Sequence, residues 1–401
     1  MDVTLGAAGE ARRVMRGTNQ SGMRAYNERL VLTLLRRHGA LSKTEISRQT
    51  GLSAQAISVI MRGLEAEGYL LKNPPVRGRV GQPSVPMRLN PDAAYFLGLL
   101  IGRRTFEMTL TDFLGQELGQ LRQAHRLPDP DAAVAFAVAG ADRLLQGLGA
   151  QGRERVSGLG IAMPYRIWEW GSVPGAAATE MQVWRHRDIA AELDGRWPFP
   201  VFVENDATAA CGAELVFGSA RIEGDLLHFY IGYFAGGGVA LNGRLFSGAT
   251  GNAGALGSMP VDRRDGRAVQ LIDRASLAVL EQAVEARGGD GEAMWQRPDN
   301  WSLPEDIVAD WIAGAAGALA RAIVAACAVI DFRTVLIDGW MPVALRARLV
   351  TATRSALERE GLPGIELPQL RSGSIGPGAG ARGAASLPLS RRFLVDLPSG
   401  G

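Results

Sequence analysis

The chain has 401 residues, 47% of them hydrophobic, with a formal net charge of +2. That is enough apolar material for two or three folded domains, which excludes a disordered chain, and two cysteines exclude a disulfide-built scaffold. The charge is split: residues 1–90 carry 14 Lys+Arg against 6 Asp+Glu, the rest 29 against 35, so a head at +8 drawn to nucleic acid precedes a body at −6.

Residues 1–22 are Gly/Arg-rich without periodicity and are expected to be a flexible arm. Residues 23–90 form the first expected domain. Leu41–Tyr69 predicts two short helices joined by a tight turn, with Ser42 and Glu45 in a capping box, Gly51 at the reversal and Ser53 capping the second helix. Ile46, Leu52, Ile57, Ile60 and Leu64 fall near helical spacing and give a small shared core. Gln55, Ala56, Ser58, Val59 and Arg62 are left to face outward, suited to a major groove about 12 Å wide. Two short strands follow, Tyr69–Asn73 and Val85–Asn90, around the basic loop Pro74–Pro83, a wing whose Arg77 and Arg79 can reach phosphates. The candidate DNA contacts are Lys43, Thr44, Ser53, Gln55, Ala56, Ser58, Arg62, Arg77 and Arg79, and the expected partner is a double-stranded DNA operator.

From Tyr95 the texture changes. Phe96–Gly102, Arg104–Asp112 and Phe113–Arg122 predict three paired strands, Asp131–Leu148 a helix, and Val156–Met163 a buried strand ending at Pro164. Pro200–Asp206 predicts a strand leading into the helix Ala207–Phe217. Asp225–Gly232 and Gly238–Phe246 predict a hairpin with Gly236–Gly238 in its tight turn, and Trp311–Val329 a long helix before the strand Thr334–Gly339. The alternation argues for an α/β body. Cys211 and Cys327 sit in apolar stretches and are expected to be buried thiols. The most apolar run, Ala313–Ile330, is interrupted by Arg321 and reads as a buried helix; with no signal-peptide pattern, the expectation is a cytoplasmic protein without a membrane partner.

Three stretches resemble the ROK family of repressors and sugar kinases: Val203–Glu214, Gly236–Gly257 and the winged head. The resemblance covers roughly residues 25–390. It implies a two-lobed actin-like/ribonuclease H-like body, with 91–210 and 375–401 as one lobe and 211–374 as the other. The head marks the family's regulator branch, and Gln82 stands where the family often has an Arg in a Gly-Arg-Pro hook, adding a DNA candidate. Asp206 matches the family's catalytic Asp, and Asn205 a sugar-binding Asn.

Both phosphate loops depart from the kinase pattern. Leu100-Ile-Gly-Arg-Arg104 stands for an Asp-x-Gly-Gly-Thr turn, and Gly232-Tyr-Phe-Ala-Gly-Gly-Gly238 for Gly-Thr-Gly-x-Gly-Gly-Gly, so close backbone approach to a phosphate is lost. The motif Gly-x-Ala-Gly-Glu-x-Gly-His reads Gly251–Ser258, with Ala255 for Glu and Ser258 for His. The family's zinc-binding cysteines are missing from Val261–Arg267. No catalytic residue, metal or cofactor is therefore expected. Tyr165 stands for a Gly, and Glu180 for a sugar-contacting Asn in the segment ending at Trp184. The candidate ligand contacts are Tyr165, Glu180, Trp184, Asn205, Asp206 and Asn252, with Trp168 and Trp170 as further apolar walls. The resulting expectation is a regulator of carbohydrate metabolism, a repressor controlled by a small sugar or polyol effector and acting as a homodimer or homotetramer. A ligand-blind DNA-binding scaffold, a sugar kinase with an accessory head and an activator stay open.

Overall fold

A computed structural model describes residues 20–75, 84–172, 181–219, 222, 224–360 and 363–395. The head begins with α1 (Gln20–His38), which the sequence pattern did not reveal and which starts inside the expected arm; residues 1–19 lie outside the described residues. Its Val31, Leu32, Leu34 and Leu35 form one buried stripe. α2 (Lys43–Thr50) carries the capping box: Ser42 Oγ accepts from Glu45 N at 3.3 Å, and Glu45 Oε2 accepts from Ser42 N at 2.7 Å. Gly51 ends it at φ 70°, a left-handed position that glycine adopts freely. α3 (Ala54–Ala66) follows, and β1 (Leu70–Lys72) pairs antiparallel with β2 (Met87–Leu89). The wing tip, with Arg77, Arg79 and Gln82, lies outside the described residues.

The body repeats one topology. In the first lobe β3 (Tyr95–Ile101), β4 (Thr105–Thr111) and β5 (Glu117–Ala124) run antiparallel, while β6 (Val156–Met163) and β7 (Val201–Asn205) lie parallel to β3 on its other side. α4 (Pro130–Gln146) crosses from β5 to β6. In the second lobe β8 (Leu226–Ile231), β9 (Ala235–Leu241) and β10 (Arg244–Phe246) are antiparallel. The hairpin β11 (Pro260–Arg264) and β12 (Arg267–Gln270) intervenes, and β13 (Thr334–Gly339) and β14 (Gln369–Ser372) then join β8 in parallel. Both sheets thus have the order third, second, first, fourth, fifth. The helix Glu305–Val329 is long and apolar enough to cross a membrane by length and composition, yet Ile307, Trp311, Leu319 and Ile323 bury it in the second-lobe core.

Two helices join the lobes. Asp206–Phe217 leaves β7 and packs on β9; an expected lobe boundary at 210/211 falls inside it. Ala379–Phe393 returns from β14 to cover β3 and β6 and lies against Asp206–Phe217. Glycines permit this close packing: a Cβ on Gly160 would fall into the Ala384 carbonyl, and one on Gly98 into that of Ala381. Gly236–Gly238 do not form the hairpin turn. They lie within β9, the turn being Gly232–Phe234, and a Cβ on Gly238 would stand 2.5 Å from Cys211 Cβ. Gly236 and Gly238 let the 206–217 helix approach the sheet, a packing role that is indistinguishable in sequence from turn chemistry.

Candidate ligand cleft and DNA-facing helix

Between the lobes lies a cavity of about 510 Å³, within the range of small-molecule sites. β7 ends at Asn205, which caps the following helix: its Oδ1 accepts from Ala207 N and Thr208 N, both at 3.1 Å, leaving the amide NH₂ as the group it offers the cavity. Asp206 opens the helix beside it. Burial pushes the Asp206 carboxyl above its ordinary range, with the Arg103 guanidinium opposing the shift. Arg103 is itself pulled down to about 10 by burial, with Asp206 holding it up. An acceptor and several donors thus meet at one wall, the complement a polyhydroxyl ligand requires. Tyr165 and Asn252 line the same cavity, as do Ala255 and Ser258.

Trp184 is a correction. It is 1% exposed, its Nε1 donates to Pro128 O at 2.9 Å, and it packs in the first-lobe core rather than on the cavity. Trp168 packs against the same core; Glu180 and the Trp170 side chain lie outside the described residues. Among the described residues, the tryptophans that line the cavity are Trp295 and Trp340, their rings stacked at 6.1 Å, with indole N–H groups donating to Glu281 Oε1 and Met294 O. Trp340 directly follows β13, and ligands gather at the carboxyl ends of parallel strands, a signal the sequence did contain. Trp295 sits on a four-residue helix with no comparable signal.

The departures from the kinase loops meet across the cleft. The Arg103 guanidinium carbon lies 4.5 Å from the Phe234 ring centroid and that of Arg104 4.7 Å from Tyr233. Arg104 also bonds Glu281 at 2.8 Å and the Arg126 carbonyl at 2.7 Å. The β3–β4 turn of one lobe is thereby latched to the β8–β9 turn of the other, each cation–π contact contributing about 2 kcal/mol where desolvated. Arg103, Arg104, Tyr233 and Phe234 all line the cavity.

On the head, Lys43, Thr44, Ser53, Gln55 and Arg62 are exposed, and Ala56 and Ser58 half-buried. Ser53 Oγ caps α3 by accepting from Ala56 N at 3.2 Å. Lys43 Nζ donates to Ser58 Oγ at 3.1 Å, and Arg62 Nε to Ser58 O at 3.2 Å. Exposed Val59 completes this face, opposite buried Ile57, Ile60, Met61 and Leu64.

A winged helix-turn-helix head joined to a duplicated two-lobed α/β body defines a DNA-binding protein built on a kinase-like frame. The chain belongs to the ROK family, whose model matches residues 96–391; a model described as winged helix-turn-helix DNA-binding matches residues 24–70. It is 26% identical over 390 residues to the uncharacterized protein y4fQ of Sinorhizobium fredii, covering 94% of each. It is 25% identical over 245 residues to the xylose repressor of Bacillus subtilis, covering 61% of this chain and 62% of that repressor. Among solved structures, a ROK family transcriptional regulator, a homologue of the Escherichia coli MLC protein, superposes with TM-score 0.64 at 22% identity, covering 92% of this chain and 96% of that one. A ROK family glucokinase from Streptomyces griseus, in complex with glucose and AMPPNP, superposes at 0.58 and 21%, covering 73% and 99%. Both show the shared fold.

Proposed function

We propose that the protein is a sequence-specific transcriptional regulator of carbohydrate metabolism, a cytoplasmic repressor whose operator affinity is set by a small sugar or polyol in the interlobe cleft, and that it does not transfer phosphate. The observation that carries this reading is the Arg103–Phe234 and Arg104–Tyr233 latch across the would-be phosphate seat, beside a cavity that keeps Asn205 and Asp206. The frame retains hydroxyl-binding groups, while both glycine approaches to a nucleotide are replaced. The xylose repressors among its relatives support a sugar as the effector class.

The DNA contacts are assigned to Lys43, Thr44, Ser53, Gln55, Ala56, Ser58 and Arg62 on the head, with Arg77, Arg79 and Gln82 from the wing. The protein acts as a homodimer or homotetramer, two heads reading a pseudo-palindromic operator. A ligand shifts operator affinity only if it prefers one lobe arrangement over the other. Gel-shift titration at physiological salt, with and without a sugar and polyol panel, tests the reading. Sequence-preferring binding weakened by one panel member is expected. No sequence preference under any condition overturns it, and ATP turnover with any panel sugar overturns the non-enzymatic part.

A further inference from the structure

Away from the cleft, three ionisable side chains from three elements converge under the second sheet. His228 lies in the middle of β8, opposite Leu336 of parallel β13, and Asp338, two residues further along, faces the same side. Glu214 comes down from the last turns of the Asp206–Phe217 helix. The three are 0–1% exposed, and one ligand-type atom from each lies within 4.8 Å of the others. Neither the DNA-facing helix nor the effector cavity uses them.

His228 distinguishes this cluster from an ordinary buried ion network. Both its ring nitrogens are buried without a hydrogen-bond partner, and an unsatisfied buried polar group is destabilising unless a ligand satisfies it. Burial pushes the imidazole down to about 4, with Asp338 opposing the shift, so at neutral pH the ring is uncharged and one nitrogen presents a lone pair. The two carboxylates are held by outer donors. Glu214 Oε1 accepts from Ser374 N at 2.5 Å and Ile375 N at 3.0 Å, and Oε2 from Ser374 Oγ at 2.9 Å. Asp338 Oδ2 accepts from Gly376 N at 2.8 Å, and Oδ1 from Gly339 N at 2.9 Å and from Arg346. With two lone pairs per oxygen, Glu214 Oε1 and Asp338 Oδ1 are each filled by two donors, while Glu214 Oε2 and Asp338 Oδ2 accept one bond apiece and each keep a lone pair for a ligand.

We propose that Glu214, His228 and Asp338 form a binding site for one first-row divalent cation, zinc or manganese, pinning the Asp206–Phe217 helix to strands β8 and β13. One imidazole and two carboxylates are a borderline-to-hard donor set that suits these ions. Metal–ligand distances of roughly 2.0–2.2 Å require the donors to draw together by about an ångström, within reach of side-chain rotation. The site departs from the sequence expectation of no metal. That expectation rested on the β11–β12 segment, Val261–Arg267, where the family's zinc cysteines are replaced, whereas these three residues are distant in sequence and only the fold assembles them. The inference is independent of the effector reading.

The test is calorimetric titration of the chelator-stripped full chain with zinc chloride and manganese chloride, supplied both to folded protein and during refolding because the site is enclosed. One equivalent is expected in the parent, with a raised melting temperature. His228→Gln and Glu214→Gln should each weaken uptake about 100-fold or more, at or beyond the upper end of the roughly 10–100-fold typical of changes outside a ligand set. Should a variant fail to fold, copper(II) bound to the parent supplies the second readout: nitrogen hyperfine structure from one imidazole. No stoichiometric uptake, equal uptake in both variants, or copper bound without nitrogen would overturn the proposal and leave an arginine-bridged polar cluster.

Discussion

Single side chains in this protein differ mainly in how burial treats their charge. Glu107, on β4, is fully buried; Arg122 Nε donates to its Oε1 at 3.1 Å and its Oε2 has no partner. Burial raises its carboxyl to about 7, against Arg122, which lowers it. An acid raised in this way keeps its proton in the folded state between about pH 4.5 and 7, while the unfolded chain has lost it. The folded state is therefore progressively destabilised as pH rises through that window and levels off above it, by on the order of 3 kcal/mol at most. Glu107→Gln keeps an acceptor for Arg122 and removes the charge, so its stability relative to the parent should rise from pH 4.5 to 7. Urea unfolding across that range measures the difference, and parallel curves would refute the assignment. Asp206→Asn addresses function at the same scale. If Asp206 accepts a hydroxyl of the effector, the variant loses effector-induced change in melting temperature yet keeps the parent's operator affinity. Loss of folding would instead make Asp206 structural. Which tryptophans face the cleft could not be read from spacing: Trp184 lies in a motif segment yet sits in the core, whereas Trp295 and Trp340 reach the cavity through the way second-lobe elements pack.

Whole elements were far more legible than these orientations. The strands Val156–Met163 and Thr334–Gly339 stand out because short stretches rich in apolar and small residues are bounded by turn residues, the pattern of parallel strands buried on both faces. The capping box announced α2 for a local reason. α1 lacks an acidic first turn and follows a segment without periodicity, so nothing local marked its start. The helix Ala379–Phe393 was equally hidden, because its Gly/Ala-rich face reads as linker until the sheet it covers is known. That face is also where the body is most sensitive. Gly160→Ala drives a methyl into the Ala384 backbone, which has no rotamer to yield, and should cost about 1–3 kcal/mol or more, read as a lower urea midpoint. A midpoint unchanged within error would mean that the helix shifts freely. α3 carries the opposite kind of test. Gln55 is exposed near its start, so Gln55→Ala should leave stability untouched and relax discrimination between operator and random DNA by roughly 1 kcal/mol or more. Undiminished discrimination would remove Gln55 from the reading surface.

At the scale of the molecule, the head is docked on the body rather than strung from it. Phe393, at the end of the last helix, packs 5.7 Å from Tyr69 of the head, 5.8 Å from Phe96 on β3 and 5.3 Å from Phe113 after β4. Arg36 of α1 donates to the carbonyls of Phe113 and Leu114, and Thr33 Oγ1 accepts from Val395 N at 2.9 Å. Head and first lobe therefore share one apolar cluster. The helix that ends in Phe393 also lies against the helix that begins at Asp206, so a continuous set of packed contacts runs from the cleft to the DNA-facing domain. Contact alone does not make a switch; coupling requires that the packing have two arrangements and that the ligand favour one. Phe393→Ala separates these possibilities. Removing a buried aromatic costs about 3–5 kcal/mol, and here the loss falls at the joint. The parent should unfold in one calorimetric transition, and the variant in two, the head first. If the joint transmits the signal, the variant's isolated effector binding persists while its operator affinity no longer responds to effector. A variant that still melts once and still responds would show that the signal reaches the head by another route, through the β1–β2 wing or across a dimer interface.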